Sequence, residues 1–194
     1  MPKCNGCGQA LVLSQREADA ILDACSPALR GVFSFTRSTA ARISEILNLK
    51  FENLTTNYVI LPKRIVKGKK KTREVPINDR LANEIAAWKA QWEIIYGRPP
   101  EGTDYIFPGR CGNTKEKHLT RDAADKALRK ICKDLHIDGA STHSWRRTSL
   151  SNANEAGISL RVLQSISGHA NLDVLSKYLQ TSDRQKQRAA DAFG

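Results

Sequence analysis

Apolar residues recur along most of this chain at steps of three and four. Ala18, Ile21, Leu22 and Cys25 follow a Ser14-Gln15-Arg16-Glu17 capping box and predict a first helix over about residues 15–25. Ser26-Pro27 opens a second, which carries Leu29, Val32 and Phe33 toward residues 36–40; Ile43, Ile46 and Leu47 mark a third, with Arg42 at its start. The period then changes. Tyr58-Val59-Ile60-Leu61 and Arg73-Glu74-Val75-Pro76-Ile77 are β-rich runs flanking a basic stretch over residues 63–71, the pattern of a hairpin with a basic tip. A long helix led by Asp79 carries Leu81, Ile85, Trp88, Trp92 and Ile95 and stops at Gly97 and Pro99-Pro100, its tryptophans reading as core. Residues 105–109 read as a short extended piece closing in a turn, and residues 109–117 as an exposed loop. Further helices are predicted from Thr120 through Leu135, from Ser141-Thr142 to a stop at Gly157, over residues 160–166 and over residues 172–179, the last two parted by Gly168-His169. The predicted fold is mainly α with a small antiparallel β-sheet.

A length of 194 residues suits one domain of ordinary size with a real core. The 31 Lys and Arg against 20 Asp and Glu leave a net charge of +11, which asks for an acidic partner. Nucleic acid outranks anionic membrane, because no apolar run approaches a spanning length; charge alone leaves a ribosomal or chaperone-like role open. Five cysteines, an odd number without a signal segment, argue against a disulfide framework and for a reducing cytoplasm. Cys4 and Cys7 form half of a zinc knuckle, but zinc takes four ligands and no second pair follows, so residues 1–13 are read as a flexible leader before a domain over residues 14–194.

Arg42, His143, Arg146, His169 and Tyr178, with a lysine at or near Lys67, are set in the phrases ARISEILNL, KGKKKTREVPI, HSWRR, SGH and, nine residues after its histidine, KYL. In order and spacing these phrases resemble the catalytic domain of tyrosine recombinases, the phage-integrase family, over roughly residues 11–179. The chemistry agrees. Guanidinium forks suit a phosphate whose oxygens gain charge in the transition state, and a phenol suits a nucleophile that waits as a stable ester. Taken singly, each arginine is more commonly a surface charge or ion-pair partner and each tyrosine a half-buried ring; the combination reverses that judgement. His118 and His136 are read as structural.

The resemblance implies a site-specific DNA recombinase in which Tyr178 attacks the phosphate to form a 3′-phosphotyrosyl link, on double-stranded DNA, as a homo-oligomer assembled on paired sites. It assigns His143 to proton transfer near the nucleophile, His169 to a hydrogen bond on a non-bridging oxygen, and a hairpin lysine to protonation of the leaving 5′ oxygen. The basic loop is one residue longer than the usual pattern, so Lys67 is the first choice and Lys69 the second. Lys63, Arg64, Lys69, Lys70, Lys71 and Arg73 are expected to contact DNA. No cofactor, metal, small-molecule substrate or membrane is implied, and the expected location is the cytoplasm, at the nucleoid. Trp145, Arg147 and Ser167 depart from the family's common leucine, histidine and leucine at those places. No separate core-binding domain is seen; the length matches the short recombinases of fimbrial phase switches or a piece beginning at a domain boundary. The polar segment after Tyr178 either docks on a neighbouring subunit, packs on its own domain or frays. The alternatives are a non-catalytic DNA-binding regulator on the same fold and relaxation of DNA in the manner of a type IB topoisomerase.

Overall fold

A computed structural model describes residues 9–66, 71–109, 113–179 and 181–193. Helix α1 (Gln15–Asp23) begins where expected, with the Ser14 hydroxyl accepting the Glu17 backbone N–H and the Glu17 carboxylate accepting that of Ser14. Helix α2 (Pro27–Thr39) has proline in its first turn and ends at Ala40, which adopts the left-handed region at φ 50°. Helix α3 (Ile43–Leu47) follows at once, with Arg42 as its extended N-cap residue. A 3-10 turn (Phe51–Asn53) leads to strands β1 (Tyr58–Leu61) and β2 (Arg73–Pro76), paired antiparallel with Val59 opposite Val75 and Leu61 opposite Arg73.

Helices α4 (Asp79–Tyr96), α5 (Arg121–Asp134) and α6 (Thr142–Glu155) form the body, and of the short helices α7 (Leu160–Ser167) packs beside α6 and α8 (Leu172–Ser176) beside α7. The core joins α2, α4 and α6: Phe33 stacks on Trp145 at 5.3 Å, Trp88 stacks on Phe107, and the Trp88 indole N–H donates to the Ile106 carbonyl at 2.7 Å. Trp88 and Trp92 are buried, as their spacing predicted. A second, smaller cluster of Ala40, Leu150, Leu163 and Leu175 lies apart from it, with Tyr178 and Leu179 against its edge.

Several expectations change. The helix predicted through residue 179 stops at Ser176, and Tyr178 stands on the turn that follows, its N–H donating to the Leu175 carbonyl at 2.8 Å. Residues 10–13, expected in a leader, are tied down: Leu13 is buried, its N–H donates to the Thr148 hydroxyl at 2.8 Å, and the Ala10 carbonyl accepts from Arg147 at 2.5 Å. Thr114, in the predicted exposed loop, is buried against Asp104. Cys4 and Cys7 lie outside the described residues. Helix α9 (Asp183–Ala192) buries none of its residues; Ser182 and Gln185 hold it to the end of α6 through the Glu155 carboxylate and the Asn154 carbonyl, while Phe193 stays exposed. Among the described residues no helix is long and apolar enough to cross a membrane.

Candidate active site

The N-terminus of α3, the inner face of β2, the middle of α6 and the end of α7 converge on one buried carboxylate. Glu45 is 1% exposed. A buried carboxylate needs partners on both oxygens, and it has them: Oε2 accepts from the Arg42 backbone N–H at 2.9 Å and from Arg73 at 2.7 Å, while Oε1 accepts from the Arg42 guanidinium at 3.1 Å. Burial alone would raise its pKa; Arg73, the Arg42 backbone N–H and the charges of Arg42 and Arg146 outweigh burial and hold it below the usual carboxylate value. Glu45 thereby fixes the root of Arg42, whose side chain remains about one-fifth exposed.

Arg73 corrects the sequence reading. Expected to contact DNA with the rest of the basic loop, it is instead buried, donating to Glu45 and to the Ser167 carbonyl. The strand period explains this: Arg73 and Val75 point to the same, inner face of β2. Gly168, at φ 68°, closes α7 in the left-handed region, and a Cβ there would strike the Arg73 guanidinium.

Arg146 is 1% exposed, and its guanidinium donates to the Ala40 carbonyl at 2.6 Å and the Ser167 carbonyl at 2.9 Å. Burial, then the neighbouring charge of Arg42, push it down to about 9, opposed by Glu45, so it remains a cation at neutral pH. The same guanidinium nitrogen that reaches Ser167 lies 3.0 Å from His169 Nε2, and the Ser167 hydroxyl lies 2.7 Å from His169 Nδ1. Burial first, then Arg146, Arg42 and Arg73, push His169 down to about 3, so it is neutral at physiological pH. Three guanidiniums against one carboxylate leave the pocket with a surplus of positive charge that a phosphate would relieve.

Tyr178 lies against this group. Its ring centroid is 4.8 Å from that of His169, and Arg146 Cζ is 5.6 Å from it, within range of a cation–π contact. Its backbone is held by the Ser151 hydroxyl, which donates to the Tyr178 carbonyl at 3.1 Å. A cleft of about 400 Å³ opens beside the ring, lined by His143, Arg147, Lys177 and Tyr178 with Ser141, Gln9 and Ala10. His143 is exposed at the first turn of α6, whereas Arg146, one turn on, is buried. Arg146 meets the Tyr178 ring, and His143 lines the cleft beside it.

The structure thus brings together Arg42, Arg146, His169 and Tyr178 and places His143 at the cleft. Lys67, Lys69 and Lys70 lie outside the described residues. Lys63 and Lys71 are exposed, and Arg64 is exposed with a pair to Glu52 at 3.2 Å. Sequence reasoning misses Glu45, although it stands three residues after Arg42, the spacing from which a first-turn carboxylate reaches back to the cap. Ser167 enters the sequence reading only as a departure from the family's leucine.

Comparison with known proteins agrees with the geometry. The sequence model of the phage integrase family matches residues 12–185. The tyrosine recombinase XerD of Haemophilus influenzae is 25% identical over 162 residues, covering 80% of this chain and 51% of the relative. A tyrosine recombinase of Pseudothermotoga lettingae is 30% identical over 151 residues, covering 75% of this chain and 46% of the relative. The chain therefore spans about half the length of the curated relatives it matches. In fold it is similar to the XerA recombinase, with a TM-score of 0.73 at 18% identity over 96% of this chain and 66% of that one. It is also similar to the XerH site-specific recombinase in a post-cleavage complex with palindromic difH substrate, with a TM-score of 0.75 at 21% identity over 98% of this chain and 55% of that one.

Proposed function

The chain belongs to the phage integrase family, and from that premise we propose that it is the catalytic domain of a site-specific DNA recombinase that cuts and rejoins strands through Tyr178. The observation that carries this reading is the packing of the Tyr178 ring against His169 and the buried Arg146. Arg42 and Arg146 bind the non-bridging oxygens of the scissile phosphate, where charge develops as the five-coordinate state forms. The Tyr178 oxygen attacks phosphorus, the bond to the 5′ oxygen breaks, and a 3′-phosphotyrosyl ester and a free 5′-hydroxyl result. His143, at the mouth of the cleft, receives the phenolic proton, His169 hydrogen-bonds a non-bridging oxygen, and a hairpin lysine, Lys67 by sequence, protonates the leaving oxygen. The ester conserves the bond energy, so rejoining by the reverse attack needs no nucleotide.

Double-stranded DNA is the partner this assigns, with Lys63, Lys71 and the rest of the basic hairpin on its backbone and a homo-oligomer formed on paired sites. Such work is done in the cytoplasm, at the nucleoid. The test is a nicked suicide duplex carrying inverted repeats taken from the DNA around the gene, with a covalent protein–DNA band as readout. The band should form in EDTA and vanish in Tyr178→Phe while binding persists. Binding without a band in the parent protein would favour a regulator on the same fold, and relaxation of unrelated plasmid would favour a topoisomerase.

A further inference from the structure

Ser167 lies at the junction of the buried arginines and the histidine, and its two polar groups do different things. Its carbonyl accepts from both Arg73 and Arg146, whereas its hydroxyl is 2.7 Å from His169 Nδ1 and is itself 3.5 Å from the Gln164 carbonyl. Both residues are sealed from water, with Ser167 at 0% and His169 at 5% exposure. A guanidinium can only donate. The nearer ring nitrogen to Arg146, Nε2 at 3.0 Å, must therefore offer its lone pair; the 3.4 Å approach to Nδ1 is the weaker contact. That leaves the single proton of the neutral ring on Nδ1, where the Ser167 oxygen accepts it.

We infer that the Ser167 hydroxyl is a positioning residue that holds the His169 ring through Nδ1 and keeps that nitrogen satisfied in either tautomer. The inference rests on the recombinase reading for its consequence, since His169 acts on the phosphate, but not for its geometry. In the free protein Nε2 accepts from Arg146. Once Arg146 turns to a phosphate, His169 serves that phosphate only by presenting an N–H from Nε2, so the ring proton must reside there and Nδ1 must accept. A carbonyl or carboxylate at position 167 would support only the first arrangement, and an aliphatic side chain neither. A hydroxyl rotates and supports both.

The experiment is histidine ¹⁵N NMR on the full chain, together with the rate of covalent adduct formation on a suicide duplex. Wild type should show one set of His169 signals, with Nδ1 protonated and Nε2 an acceptor, unchanged from pH 5 to 8. Ser167→Ala removes one oxygen and leaves the carbonyl contacts intact. It should shift and broaden the His169 Nδ1–H signal, because that buried N–H has lost its acceptor and the ring its hold, and should slow adduct formation about tenfold at saturating DNA with affinity unchanged. Ser167→Thr, which keeps the hydroxyl, should retain the wild-type His169 signals and most of the rate. A slower Ser167→Ala enzyme whose His169 signals match wild type would overturn the inference, as would wild-type rate and signals together. Absence of any adduct in the wild-type protein would instead count against the recombinase reading, and the NMR comparison would still decide the role of Ser167.

Discussion

Replacing Arg73 by methionine separates a buried structural cation from a DNA contact. Arg73 is 6% exposed in its side chain, Glu45 is 1% exposed, and the two are 2.7 Å apart. Removing one partner of a buried pair costs about 3–5 kcal/mol because the remaining charge is stranded. Glu45 would keep the Arg42 backbone N–H at 2.9 Å and the Arg42 guanidinium at 3.1 Å, and methionine fills most of the vacated volume, so the lower end applies, about 3 kcal/mol. For a chain of this length each kcal/mol moves Tm by about 2–4 °C, so Arg73→Met should melt about 6–12 °C lower. The slope of log affinity for DNA against log salt should not change, since no phosphate contact is lost. Lys71→Ala should do the reverse, leaving Tm alone and reducing that slope by about 0.9. If Arg73→Met kept its Tm and lost the slope, Arg73 would lie on the DNA face and the buried cluster would be misplaced.

His169 makes stability depend on pH. Its folded pKa of about 3 lies below the unfolded value of 6.5: the unfolded chain takes up a proton that the native state refuses, so stability falls as pH drops from about 6.5 toward 3. Between pH 6.5 and 5 the loss should be about 2 kcal/mol, above the range where carboxylates begin to titrate. Urea unfolding at the two pH values measures it, and an equal loss in His169→Asn would assign it to another group. Arg42→Ala should leave Glu45 Oε2 paired with Arg73 but take the guanidinium from its Oε1, lowering Tm less than Arg73→Met does, and should slow adduct formation on the order of a hundredfold; a pure loss of affinity would make Arg42 a docking contact.

Much of this was legible in the chain because local rules and tertiary packing agree. The Ser14 capping box, Pro27 at a helix start and Gly97 and Gly168 at helix ends mark boundaries that the structure keeps. Misreadings came where one residue answers to two patterns. Arg73 looks basic with its loop neighbours, but the alternation that buries Val75 buries it too, and Glu45 supplies the countercharge from a distant element. Tyr178 continues a helical phrase, yet α8 ends at Ser176 and the turn that follows brings Tyr178 and Leu179 against the small cluster. Ser167 read as a departure from the family's leucine; its hydroxyl has meaning only beside a histidine held by Arg146.

The separation of the two apolar clusters has a consequence for how Tyr178 behaves over time. Arg42 is anchored by a buried carboxylate, and Arg146 rises from a helix that packs on the large aromatic core through Trp145. Tyr178 rides instead on a turn secured by the small cluster, by backbone hydrogen bonds from Tyr178 and Leu179 to Leu175 and Ser176, and by the Ser151 hydroxyl. Opening that turn exposes far less apolar surface than opening the domain, so its free energy lies well below the global value, and amide exchange there should be faster than in α2 or α6. The charged cradle is thus anchored to the large core and to a buried carboxylate, while the tyrosine that completes it is moored to the smaller cluster and keeps its own clock.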